Sequence, residues 1–164
     1  MAMHLTRPLA GLLLSCLGVA SGGAAAQSRP DFFVTGTILP GVCRIAVDDV
    51  DLGTYRATQF TGAFVTPFTP VNVVVSQCDP LVTRVALRFD GVADVNDASL
   101  FQAVAGIGIE LQETASGQRV SPGTTVQRSS AAGSHAFRAR FSQSATPVAA
   151  GQVSRPITVT MTYN

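Results

Sequence analysis

Residues 155–164 read RPITVTMTYN. Ile157, Val159, Met161 and Tyr163 fall on one side of this stretch, and Thr158, Thr160, Thr162 and Asn164 on the other. Strict period-2 alternation is the pattern of a half-buried β-strand, whose apolar side must pack on something. The sequence ends at Asn164 without a turn or a further strand to pair back. The expectation is therefore an edge strand whose open side is completed by another chain.

Working outward, the other strand candidates share this style. FFVTGTI (32–38) alternates until PGV breaks it before Cys43, and CRIAV follows. VNVVVSQC (71–78) is a dense β-branched run. TRVALRF places Val85, Leu87 and Phe89 on one face, and GIGIELQ does the same with Ile107, Ile109 and Leu111. HAFRARF sets His135, Phe137, Ala139 and Phe141 against Ala136, Arg138 and Arg140. Turn signals separate them: FDGVADVNDAS, TASGQRVSPG, SSAAGS and PVAAGQ. Six or seven short strands without a helix of any length predict an all-β sandwich. Residues 52–69 read as a long connection crossing it, and no internal repeat or heptad appears.

The opening residues set the compartment. Arg7 leads into an apolar run from Leu9 to Ala20, and small residues end in Ala24-Ala25-Ala26 before Gln27. This is the pattern of a secretory signal peptide over 1–26, too short and wrongly flanked for a membrane span. A lipoprotein signal acylated at Cys16 fits less well, because the apolar run continues through Leu17 and Val19. Removing residues 1–26 from the 164 leaves 138, enough for one domain with a real core. Arg7 leaves with the signal, so ten basic residues, all Arg, face ten acidic ones. A neutral chain with evenly spread Arg has no footprint for nucleic acid or an anionic membrane.

With Cys16 removed, Cys43 and Cys78 remain, an even pair in an exported chain that reads as one disulfide. Its loop of about 36 residues is worth roughly 4 kcal/mol in the chain-entropy model. Two Cys and one His fall short of a four-ligand metal site.

No catalytic constellation emerges. His135 is the only histidine after the signal and could be a general base beside a serine. A partly buried, hydrogen-bonded histidine at a strand entrance is the favoured reading. Asp48, Asp49 and Asp51 form an acidic cluster without the glycine and terminal Glu of a calcium loop, so a solvated turn is expected. Glu110 and Glu113 do not read as a carboxylate pair. GIGIE lacks the third glycine and following helix of a dinucleotide loop. Arg138 and Arg140 read as a solvent face. Neither an enzyme, a cofactor nor a metal is expected.

The two ends of the mature chain fit each other. The leader SRPDFFVTGTIL places Phe32, Val34, Gly36 and Ile38 on one side, upstream of the disulfide. An extended segment of one copy can add to an open sheet edge of the next. Donor and acceptor surfaces differ, so the contact repeats head to tail without closing and gives a fibre. The alternative is an ordinary first strand of a closed sandwich.

These residues resemble the type 1-like fimbrial subunits of chaperone–usher pili. The resemblance is carried by Gly36 seven residues before Cys43, by VNVVVSQCD, by GIGIELQETASGQRVSPG, by FRARF and by AAGQVSRPITVTMTYN with Tyr163 penultimate. Phe141 stands where the family commonly has tyrosine. The resemblance implies an incomplete immunoglobulin-like sandwich lacking its last strand, which a donor strand completes. It implies a domain over 27–164, with 27–36 as N-terminal donor extension. The donor row would be Phe32, Val34, Gly36 and Ile38, and Cys43–Cys78 the family's disulfide. Ile157, Val159, Met161 and Tyr163 would form the edge beside the groove where a periplasmic chaperone pairs, with the Asn164 carboxylate as its anchor. Partners would be other pilus subunits, that chaperone and an outer-membrane usher; nucleic acid is not among them. The function implied is a structural subunit of a cell-surface fimbria supporting adhesion. The alternative is a minor or tip module, or a secreted β-sandwich, that recognises a surface glycan.

Overall fold

The computed structural model describes residues 33, 35–37, 42–62, 64–129 and 131–163. Of the leader, Phe33 and residues 35–37 carry no regular secondary structure. Phe32, Val34, Ile38 and Asn164 lie outside the described residues, so the expected strand over 32–38 is not tested by them.

From Val42 onward the fold is two antiparallel sheets. One has the order β1-β2-β7-β5-β4, made of β1 (Arg44–Val47), β2 (Thr69–Ser76), β7 (Gly133–Gln143), β5 (Ile107–Glu113) and β4 (Phe101–Gln102). The other has the order β6-β3-β8, made of β6 (Thr124–Arg128), β3 (Val85–Asp90) and β8 (Thr158–Tyr163). Alternation dictates what lies between them. Val73 and Val75 of β2, Val85, Leu87 and Phe89 of β3, and Phe137 of β7 are all but fully buried. Phe89 and Phe137 meet edge to face, with ring centroids 4.8 Å apart, and tie the sheets together at the centre. Burial of each such ring contributes on the order of 1.5–3 kcal/mol.

Cys43 and Cys78 are bonded, as the cysteine count predicts, and clamp the start of β1 to the end of β2. The backbone repeats the clamp, because Asp79 N–H donates to Val42 O at 2.9 Å.

Residues 52–69 are more regular than a plain connection. A short 3-10 helix (Ala57–Gln59) leads to buried Phe60, and Val65 then bridges to Ser142. Thr66 is buried beside β7. Its N–H donates to Phe141 O, and its Oγ1 accepts from Phe141 N–H, both at 3.0 Å. This segment prolongs the edge of β2 along β7.

Two strands were not expected. β4 is two residues long. In β6 the inward positions are Thr124, Val126 and Arg128, so one apolar residue carries its pattern. Its pairing with β3, from Val85–Arg128 to Phe89–Thr124, is what makes it a strand.

Candidate functional site

Among the described residues β8 pairs with β3 alone, from Asp90–Thr158 to Val85–Tyr163. Its other edge has no neighbouring strand there. The expected alternation holds: Val159, Met161 and Tyr163 are half-buried, as is Ile157 just ahead of the strand, while Thr158, Thr160 and Thr162 face solvent.

Beside this edge opens a cleft of about 910 Å³. Its floor is the inner face of the larger sheet, with Val71, Ile109, Leu111, Ala139 and Phe141, joined by Phe89 from β3. One wall is the chain after β1, residues 47–55, and the other is residues 149–157 continuing into Val159. The second wall is held by backbone: Ala149 N–H donates to Ala105 O at 2.9 Å, and the Arg155 guanidinium donates to Ala103 O at 3.3 Å. The first wall carries the acidic cluster. Asp51 Oδ1 accepts from Gly53 N–H at 2.8 Å, the solvated turn expected of DDVD. A cleft with an apolar floor and polar walls, beside a strand edge that has no neighbour among the described residues, can accept an extended segment. The edge supplies backbone hydrogen bonds, and the floor takes every second side chain.

The opposite side of the sandwich is shut. Arg128 of β6 and Glu113 of β5 form an ion pair at 2.7 Å across the two sheets, and the Arg128 guanidinium carbon lies 5.2 Å from the Phe137 ring centroid.

The outer face of the larger sheet corrects the expectation of an ordinary solvent face at Arg138 and Arg140. Glu110, only 1% exposed, takes a bond from Arg140 Nε at 2.7 Å and another from Arg119 Nη2 at 3.1 Å. Both Arg138 and Arg140 stack on Phe68, at 4.2 and 4.1 Å from its ring centroid. Burial alone would raise the Glu110 carboxyl. The hydrogen bonds from Arg140 and Gln112 and the charges of Arg119 and Arg140 outweigh it and hold the carboxyl below its ordinary 4.5. His135 is buried, as expected of a strand-entrance histidine, and desolvation lowers it from 6.5 despite a hydrogen bond with the Ala131 backbone.

Among the described residues no group of three His, Cys, Asp or Glu is placed to hold a metal ion. Nor is any helix there long and apolar enough to cross a membrane.

The family model described as Fimbrial protein matches residues 33–164. The chain is 28% identical over 166 residues to the S-fimbrial protein subunit SfaG of Escherichia coli O6:K15:H31 (strain 536 / UPEC), covering 94% of this chain and 91% of that one. Among solved structures it is similar to the P pilus rod subunit PapA, with TM-score 0.64, 17% identity, and 74% of this chain and 99% of that one covered. It is likewise similar to a chaperone–usher pilus structure, with TM-score 0.60, 18% identity, and 84% and 97% covered. The likeness to the CupB6 tip adhesin of Pseudomonas aeruginosa has TM-score 0.61 at 19% identity, and spans 75% of this chain but 38% of that one. At these identities the structural likeness speaks for the fold: an all-β, immunoglobulin-like sandwich that lacks its last strand.

Proposed function

The chain belongs to the fimbrial protein family, and from that premise we propose that it is a structural subunit of a cell-surface fimbria, polymerised by donor-strand exchange and supporting adhesion. The observation that carries this reading is the open, apolar-floored cleft beside the edge of β8, which has no neighbouring strand among the described residues. Residues 1–26 direct export and are removed. The leader of the next copy then lies in the cleft, with Phe32, Val34, Gly36 and Ile38 toward its floor.

Burial of Phe32, Val34 and Ile38 contributes roughly 5–9 kcal/mol gross, at about 1.5–3 kcal/mol per side chain, before ordering costs. Gly36 lets the two backbones approach where a side chain would collide. The donor runs antiparallel to β8, as every pair in both sheets does. Before assembly, a periplasmic chaperone occupies the same edge along Ile157, Val159, Met161 and Tyr163, with the Asn164 carboxylate as its anchor. An outer-membrane usher exchanges it for the leader.

The test compares unheated with boiled surface extract on a denaturing gel, for the intact chain and for one lacking residues 27–36. A ladder that survives detergent, collapses on heating and vanishes on deletion is the expected result. A monomer in every lane, folded without its leader, overturns the proposal.

A further inference from the structure

Two exposed apolar tips stand at opposite ends of β3. Ahead of the strand, Leu81 is 85% exposed, and Val42, whose carbonyl is tied to Asp79 N–H, is 59% exposed. Beyond the strand, the loop 91–100 carries Val92 and Val95, 66% and 82% exposed. Scattered exposed apolar side chains are ordinary on a protein surface. These are different because both tips are built rigidly.

Leu81 N–H donates to Asp79 Oδ1 at 2.8 Å, and the adjacent Val82 is buried against the cluster that holds the disulfide. In the far loop, buried Asp94 accepts from Asn96 N–H at 2.9 Å and from Asp97 N–H at 3.2 Å. Asp97 Oδ1 in turn accepts from Ser99 N–H at 2.9 Å, and Arg119 donates to Ser99 Oγ at 2.7 Å. Gln102 N–H donates to Val92 O at 2.8 Å, and Leu100 is buried beneath. A loop bonded at this many points, with its valines left in solvent, is shaped to present them.

Head-to-tail assembly says to what. This step rests on the strand-exchange reading above. A donor antiparallel to β8 leaves the cleft at the Thr158 end, which pairs with Asp90, the residue that leads into the 91–100 loop. Four residues on from Ile38 the donating copy reaches Val42, a span of at most about 14 Å. The Val42 and Leu81 end of the donating copy is therefore held close to the Val92 and Val95 loop of the receiving copy. We infer that these two tips pack on each other between consecutive copies, as a second apolar contact that fixes the angle at each joint. Its occupant is a second copy of this chain. Because the two tips are different surfaces, the contact repeats along the fibre.

Cysteine pairing tests this in fibres of the full chain. Leu81→Cys with Val95→Cys should give a ladder that survives boiling without reductant and collapses with it, since the two sites lie at opposite ends of one copy and can join only between copies. Asn72→Cys with Val95→Cys is the control, because Asn72 is exposed on the outer face of β2 and lies mid-strand, six residues before Cys78. A boiled sample that runs as monomer while the unheated ladder persists, or equal cross-linking in the control, overturns the contact and leaves strand exchange standing. Absence of the unheated ladder in the unaltered chain overturns strand exchange itself, and this contact with it. As a second measurement, Val92→Ser with Val95→Ser should still polymerise but lower the temperature at which the ladder dissociates by several degrees. An unchanged dissociation temperature counts against the contact.

Discussion

Arg128 Nη1 lies 2.7 Å from Glu113 Oε1, across the gap between the two sheets and on the side away from the cleft. β6 and β8 are the two edges of the smaller sheet, so this pair closes one flank, while the other flank has no further strand among the described residues. Both side chains are largely buried, and the Arg128 guanidinium also covers Phe137. Replacing Arg128 by Leu removes the bridge and leaves Glu113 with Ser116 as its remaining partner. The expected cost is about 1–3 kcal/mol, below that of a fully buried pair because some solvent reaches both groups. Urea unfolding followed by circular dichroism measures it. An unchanged midpoint would mean that the flank is closed by packing alone.

Glu110 should act as an acid-sensitive clamp on the outer face. Its carboxyl is held below 4.5 in the fold, so its contribution is fully present above that value and is lost as pH falls through the folded value. Glu110→Gln keeps the shape but takes the carboxylate from Arg140 and leaves Arg119 with Asp97 Oδ2 at 3.8 Å, for an expected loss of about 1–3 kcal/mol at neutral pH. The variant should also lose part of the acid dependence seen below about pH 4.5. Unfolding midpoints for both chains across that range check the two statements together.

Much of the sandwich is legible because its central strands bury one face and wet the other. Val85, Leu87 and Phe89 declare β3, and Ile157 to Tyr163 declare β8. β6 is not legible, since its inward Thr124 and Arg128 are polar and only the register with β3 makes them inward. The outer face misleads for a related reason. Alternation places Glu110, Arg138 and Arg140 outward, and so they are, but Arg119, nine residues on from Glu110, folds over that face. A period-2 pattern cannot register a cover that arrives from a loop. The cleft is half legible: Ile109 and Leu111 announce its floor, whereas its walls, residues 47–55 and 149–157, are irregular segments without a period.

Gly108 illustrates the same cover. GIGIELQ reads as a strand from its isoleucines and leucine, and the structure gives its second glycine a task as well. A Cβ built on Gly108 would stand 2.6 Å from Leu100 Cβ and 2.9 Å from its Cδ1. Leu100 is buried on the outer face only because nothing projects from β5 beneath it. Gly108→Ala should therefore destabilise by about 1–3 kcal/mol, despite the usual gain from replacing a strand glycine. Differential scanning calorimetry decides between the two, since a rise in Tm would show that Leu100 moves aside freely.

His135 makes the opposite kind of pH prediction to a surface histidine. Its Nε2 is buried without a hydrogen-bond partner among the described residues. Desolvation first, and then the charge of Arg128, lower it from 6.5, against the hydrogen bond with the Ala131 backbone. The unfolded chain therefore takes up a proton at a higher pH than the fold does. Stability is undiminished above 6.5 and falls as pH drops from there toward the folded value, where the fold must accept a buried cation. His135→Leu removes that charging step and the orphaned nitrogen, so its unfolding midpoint should be flatter than that of the unaltered chain between about pH 5 and 7. Parallel slopes for the two chains across this window would show that protonation of His135 does not weaken the fold.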